Sequence, residues 1–382
     1  MDVAIIGGGI VGCASAYYLR KRGADVTLLE KGSIGNGSTE RSAGGIRCQF
    51  TTPINVELSK ASIDVWERFE STFGVDIQYR RNGYLFVGRT EETAELFESN
   101  VEMQNRLGVP TELLDPAGIE DRFPHLRTGA FTAGTYHAGD GFADPHLALQ
   151  GFATKAGDIG VDIRTKTPVT DVVRDGESVT GVVAGGERVD ADFVVNAAGP
   201  WAGRVAELAG LSLPVSARRR QVLVADPDGA LPETAPLTID LDTGAYFRPE
   251  REGSVLVGGH FDGDDPEQDP DGYAKSTDLG WTATVLERAS EASSVFGPET
   301  GVKRGWAGLY AVTPDHHPVV EESVPGFINA VGFSGHGFQQ APATGRIVAE
   351  LVFTGEASLV DIGPLSSERF ETGELLEERN VA

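Results

Sequence analysis

The chain has 382 residues, 40% of them hydrophobic, enough for a sizeable buried core and, at about 150 residues per domain, for two domains. Its 57 acidic against 32 basic residues give a formal net charge of -25, which makes nucleic acid and anionic membrane poor partners and reads as adaptation to concentrated salt, where self-repulsion is screened. No apolar run is long enough to span a bilayer, the apolar start Met1–Ile10 lacks a basic leader and a small-residue cleavage site, and Cys13 and Cys48 form no CxxC or Cys/His cluster. No integral membrane segment, secretory signal, disulfide framework or metal site is therefore expected, and the expected compartment is cytoplasmic.

In chain order, Val3–Ile6 is a short apolar run, Gly12–Arg22 has helical spacing and Val26–Leu29 is a second apolar run ending at Glu30, which reads as a βαβ unit. Thr51–Phe73 places Ile54, Leu58, Ala61, Val65 and Phe69 at three- and four-residue spacing, the mark of a surface helix. From Gly83 to Tyr136 short strands and a helix near Thr93–Leu107 are punctuated by Pro110, Pro116 and Pro124, as in an inserted second domain. A helix after Pro145 runs to about Gly160. The alternating stretches Val161–Arg164, Val169–Arg174 and Thr180–Ala184 and the buried run Asp192–Ala198 then return the chain to the first domain.

Between Pro214 and Lys303, strand-like Arg220–Ala225, Ala245–Pro249 and Ser254–Gly258 alternate with Pro/Gly/Asp loops, and the acidic loop Asp262–Gly272 is expected to be exposed and mobile. Ala341–Phe353 has helical spacing despite Pro342, and Ser366–Ala382 is expected to fray. The fold predicted is mixed α/β and α+β: a Rossmann-type domain over 1–80, 141–213 and 304–382, with an inserted antiparallel-sheet substrate domain over 81–140 and 214–303.

The turn Gly7-Gly8-Gly9-Ile10-Val11-Gly12 satisfies GxGxxG between a strand and a helix. Gly7 permits the tight turn, Gly9 lets the backbone approach a pyrophosphate and Gly12 lets helix and strand pack closely, while the helix N-terminus offers N–H donors. Glu30 suits an adenosine ribose and repels a 2′-phosphate, which disfavours NADP. The motif does not choose between FAD and NAD.

Five further motifs occur in order: Gly35-Asn36-Gly37-Ser38-Thr39, Gly141-Phe142-Ala143-Asp144-Pro145, Val194-Val195-Asn196-Ala197-Ala198-Gly199-Pro200-Trp201-Ala202, Thr313-Pro314-Asp315 and Gly332-Phe333-Ser334-Gly335-His336-Gly337. With them the chain resembles, over nearly its whole length, the FAD-dependent amine oxidoreductases related to D-amino-acid oxidase, glycine oxidase and sarcosine oxidase. The segment Arg41–Phe50 looks most like the sarcosine and dimethylglycine dehydrogenase branch. The resemblance implies FAD held by the glycine turn and Glu30 together with Lys31, Ser38, Thr39, Arg41, Ser42, Val169, Ala198, Gly199, Trp201, Gly335, His336, Gly337, Phe338 and Gln339. The helix end after Gly335-His336-Gly337 would then face a reduced, anionic flavin.

A small amino acid needs its carboxylate fixed so that its α C–H meets flavin N5, and the resemblance assigns that clamp to Arg47. Tyr310 stands where the D-amino-acid and glycine oxidases carry an arginine, and Gln339 where monomeric sarcosine oxidases carry a second carboxylate ligand. Tyr246 and Arg248 are candidate polar contacts, and His336 a candidate for stabilising reduced flavin or orienting substrate. Gly308 and Arg41 replace the attachment points of covalent flavins, so FAD is expected to be noncovalent, with Cys48 a packed thiol. Leu256 replaces the oxygen-activating lysine, which favours an electron-transfer acceptor over oxygen. The implied reaction is hydride transfer from a neutral amine to N5, giving an imine that hydrolyses. The sequence leaves open a D-amino-acid or glycine oxidase, an NAD-dependent dehydrogenase, and a flavin-binding assembly or scaffold protein without amine turnover.

Overall fold

A computed structural model describes residues 1–261, 263 and 265–380. The short apolar run at the start becomes the strand Asp2–Ile6, central in a six-stranded sheet ordered Val319–Val324, Phe327–Val331, Phe193–Asn196, Asp2–Ile6, Asp25–Leu29 and Asp162–Arg164. All pairings are parallel except that of the edge strand Val319–Val324. Period-two alternation divides the central strand between two cores. Val3 and Ile5 pack with the helices Ile10–Lys21, Pro53–Glu67, Pro145–Asp158 and Gly337–Thr354, while Ala4 and Ile6 pack under a three-stranded sheet built from Val169–Asp175, Ser178–Ala184 and Glu187–Asp190. Ile6 pairs with both Leu29 and Asn196, so Gly7, Glu30 and Ala197 leave the sheet at the same carboxyl-terminal edge, the place where open α/β sheets bind ligands.

The second sheet has eight strands, ordered Gly301–Val312, Ser216–Asp226, Val255–Gly259, Ala245–Pro249, Leu237–Asp240, Tyr84–Gly88, Ala133–His137 and Glu112–Leu114. It is antiparallel but for one parallel pair, Leu237–Asp240 with Tyr84–Gly88. Leu223, Phe247, Val255 and Val257 turn towards the helix Leu279–Ala292, whereas Val222, Tyr246, Leu256, Tyr84 and Phe86 turn to the opposite face. That second face closes over the edge of the first sheet.

Several expectations change. Thr51–Phe73 is two helices, Pro53–Glu67 and Phe69–Phe73, because Arg68 leaves helical geometry at φ -104°. Leu279–Ala292 is an unexpected helix, whose buried stripe of Val285, Ala289 and Ala292 is small enough to be lost among polar neighbours. The strand Gly301–Val312 pairs along Ser216–Asp226, which puts residues 304–312 in the second sheet and not with the first domain.

The C-terminal stretch is anchored and not frayed through Asn380. Glu378 is buried and accepts hydrogen bonds from Thr51 N (2.9 Å), Thr52 Oγ1 (3.2 Å) and Asn55 Nδ2 (3.0 Å). Val381 and Ala382, the end of that stretch, lie outside the described residues, as do Asp262 and Asp264 of the acidic loop. The rest of the loop is largely exposed yet tethered: Asp265 pairs with Arg220, Asp269 with Arg204, and Asp271 with Lys31 and Arg204.

Candidate active site

One cleft of about 670 Å³ runs between the two sheets, from the glycine turn to the inner face of the second sheet. At its first end, a Cβ on Gly7 would overlap Ala197 O and one on Gly12 would overlap Gly7 O, and Gly7 adopts φ 111°, so turn, strand end and helix approach as only glycines allow. Glu30 accepts from Gly8 N (2.8 Å) and Gly32 N (2.6 Å), and Thr39 Oγ1 accepts from Ile10 N (3.1 Å). The helix Ile10–Lys21 has neither a side-chain cap nor an acid in its first turn, which leaves its positive end open to an anion. Lys31 lies over the Trp201 ring at 3.7 Å. The Arg41 Nε, also in this wall, is buried with no hydrogen-bond partner among the described residues. A glycine cradle, an uncapped helix end and an unpaired guanidinium nitrogen together fit a dinucleotide.

Of the residues expected to hold cofactor, Gly7, Gly9, Ile10, Val11, Glu30, Lys31, Ser38, Thr39, Arg41, Ser42, Val169, Ala198, Gly199, Trp201, Gly335, Gly337 and Phe338 line the cleft. Gly12 packs beneath the turn. His336 and Gln339 lie behind the wall.

At the second end Tyr246, Tyr310, Arg220 and Val222 line the cleft with Tyr273 and Lys275. Tyr310 packs against Gly335 and Tyr246 against Gly258, each where a Cβ would collide with the ring. Burial pushes both phenols above their ordinary range, so both are neutral at physiological pH.

Arg47 does not line this cleft. Its buried guanidinium donates to Gln49 O, to Asn380 O and to His336 Nε2 (3.3 Å), lies 4.1 Å over the Phe50 ring, and has its own backbone N held by Gln339 Oε1 (2.8 Å). An arginine only donates, so His336 Nε2 accepts and the ring proton sits on Nδ1, which is buried without a partner among the described residues. Burial, reinforced by the Arg47 charge, drives the His336 pKa well below its ordinary value, so the ring is neutral and carries no charge to offer a reduced flavin. Arg248 does not line the cleft either: it donates to Pro249 O (3.0 Å), Glu250 (2.9 Å) and Ala43 O (3.1 Å), and its Nε is buried without a partner among the described residues. The cysteines are packed thiols; burial pushes Cys13 up to about 12 and raises Cys48 as well. Sequence reasoning missed Arg220, Tyr273, Lys275, Arg204 and Asp271 at the cleft. The available signal was the run Arg218-Arg219-Arg220 in a strand, where alternation turns alternate arginines to one face.

The parallel sheet with its glycine turn, roofed by a second sheet, defines a Rossmann-type dinucleotide-binding protein. The sequence profile described as FAD dependent oxidoreductase matches residues 2–351, and the chain belongs to that family. The fold is the family's, an FAD-binding Rossmann-like mixed sheet with an antiparallel-sheet substrate domain. The chain is similar to FAD-dependent oxidoreductase domain-containing protein 1 of Xenopus laevis, at 33% identity over 100% of this chain and 84% of the relative. It is also similar to sarcosine oxidase subunit beta of Arthrobacter sp, at 28% identity over 100% and 94%. Among solved structures, L-proline dehydrogenase from P. horikoshii matches with TM-score 0.89 at 32% identity, covering 98% of each chain. Glycine oxidase from Geobacillus kaustophilus matches with TM-score 0.82 at 26% identity, covering 96% of this chain and 98% of its own. Among the described residues no helix is long and apolar enough to cross a membrane, and no group of three His, Cys, Asp or Glu is placed to hold a metal ion.

Proposed function

We propose that this chain oxidises a small amino acid or an N-methylated glycine at the carbon beside nitrogen, using FAD held noncovalently, and passes the electrons to an acceptor other than oxygen. The observation that carries this reading is the continuity of the cleft: the glycine turn and Glu30 share one cavity with Tyr246, Tyr310 and Arg220. Membership of the family supports the cofactor, and relatives named sarcosine oxidase subunit beta and dimethylglycine dehydrogenase support a secondary or tertiary amine beside a carboxylate.

FAD, when bound, would supply the acceptor for the hydride, and with it the two electrons, lost from the substrate carbon. The amides of the glycine turn and the open helix end would hold the pyrophosphate, and Arg41 would offer its unpaired Nε. Tyr246, buried, and Tyr310, half-buried, form aromatic walls of the cleft and, as neutral phenols, supply hydroxyls without charge. Arg220 supplies the positive charge that keeps an amino-acid carboxylate in place while its nitrogen stays neutral. The imine product is released to water and hydrolyses.

Two features favour noncovalent FAD. Gly308 carries no nucleophile and abuts the Arg41 side chain, and Cys48 is sealed in a core cluster away from the cleft. Leu256, buried within the second sheet, presents no cation for oxygen activation. A dye-linked assay with sarcosine, dimethylglycine, L-proline, glycine and D-alanine tests the proposal, together with acid precipitation of the purified protein. Amine-dependent dye reduction with FAD recovered in the acid supernatant is expected. Dye reduction by none of the amines would overturn the substrate class and favour a flavin-binding scaffold.

A further inference from the structure

Arg47 stands outside the cleft, its guanidinium held by Gln49 O, Asn380 O and His336, so the carboxylate of an amino acid needs another cation, and the cleft wall supplies one with an unused edge. Arg220 sits on the strand Ser216–Asp226 opposite Gly308, and its side chain is 12% exposed. Its two terminal nitrogens form a fork onto Asp265, Nη1 to Oδ1 at 2.9 Å and Nη2 to Oδ2 at 3.0 Å, while Nη1 also donates to Arg219 O at 3.0 Å. Guanidinium carries five N–H donors arranged as two edges, one formed by Nη1 and Nη2 and one by Nη2 and Nε. The first edge is fully used. The second, Nε–H and the remaining Nη2–H, makes no hydrogen bond among the described residues, although Arg220 lines the cleft beside Tyr310, whose ring lies 5.5 Å from the guanidinium carbon.

Asp265 fixes the plane of that guanidinium and is itself held, its backbone carbonyl accepting from Arg218 Nη1. A guanidinium already oriented loses little freedom when a second carboxylate docks on its open edge. Lys275, also at this end, is exposed and offers a point charge with no second edge.

We propose that the Nε/Nη2 edge of Arg220 is the carboxylate-binding element of the substrate subsite, with Asp265 as its positioning partner and Arg47 as a structural residue that binds no substrate. This rests on the amino-acid reading of the cleft, and it restricts substrates to amines carrying a carboxylate near the oxidised carbon.

The test uses FAD-loaded protein and propionate, a carboxylate with no amine to oxidise, titrated while the flavin absorption band is followed. Wild type should show a saturable perturbation. Arg220→Met should weaken propionate at least about thirtyfold, Arg220→Lys about tenfold, and Lys275→Met by less than about threefold. Arg220→Lys decides the question if Arg220→Met fails to retain flavin. Unchanged propionate binding in the Arg220 variants, a dominant loss in Lys275→Met, or no saturable response in wild type would each overturn the proposal. Propionate binding that follows this pattern in a protein whose flavin no amine reduces would leave the subsite standing and remove amine oxidation.

Discussion

The guanidinium of Arg47 donates a hydrogen bond to the main-chain carbonyl of Asn380, so a residue just after the Rossmann unit is tied to one at the far end of the chain. Around that bond, Glu378 gathers Thr51, Thr52 and Asn55 at the start of the helix Pro53–Glu67. Replacing Glu378 by Ala would leave these donors short of their buried acceptor, at a cost of about 2–4 kcal/mol. Urea unfolding should show the loss, with faster amide exchange over residues 374–380. A midpoint equal to wild type would mean that this segment does not carry stability.

Gly12→Ala places a Cβ inside the radius of Gly7 O, and because the atom it meets is backbone, the turn itself has to move. A destabilisation of about 1–3 kcal/mol is expected, with loss of most bound flavin. The ratio of flavin to protein absorbance reads this directly, and full flavin content in the variant would contradict the assigned role of the turn.

His336 is neutral in the fold because burial lowers its pKa well below the ordinary value. Above about pH 6.5 folded and unfolded states are both unprotonated there, and the stability associated with this ring is fully present. As pH falls below that value the unfolded chain takes up a proton that the folded chain refuses, so stability declines by up to about 1.4 kcal/mol per pH unit. His336→Gln keeps an acceptor for Arg47 and removes the titration. Unfolding midpoints between pH 7 and 5 should therefore fall less steeply in the variant, and identical slopes would refute the assignment.

The net charge of -25 predicts a melting temperature that rises as potassium chloride goes from about 0.1 to 2 M, because screening relieves self-repulsion over roughly one Debye length. Salt also weakens the exposed pairs that tether the acidic loop, such as Lys31 with Asp271, so a falling melting temperature would show local pairing outweighing the global field.

The glycine turn was legible because its signal is local: Gly7 to Gly12 and Glu30 fall within one βαβ unit, where spacing along the chain is spacing in the fold. The strand Gly301–Val312 was misassigned because its membership is decided by pairing with Ser216–Asp226, a partner far away in sequence. Arg47 shows the same limit at one side chain. Its motif marks it as a clamp, but one of its donors goes to the carbonyl of Asn380, 333 residues on, and the guanidinium stands outside the cleft. Arg220 was hidden for the converse reason, since its exposure to the cleft follows from the Gly308 register and its fixed plane from Asp265. The helix Leu279–Ala292 escaped notice because a stripe of Val and Ala gives a weak periodic signal.

Amine oxidation is read out by anaerobic titration of the FAD-loaded protein in molar salt with sarcosine, dimethylglycine, glycine, L-proline and D-alanine, each added separately while the flavin absorption band is followed. At least one of these amines should bleach the band to a two-electron endpoint, with slow recolouring in air and fast recolouring with an added electron acceptor. A band that dithionite bleaches and none of these amines does would contradict amine oxidation.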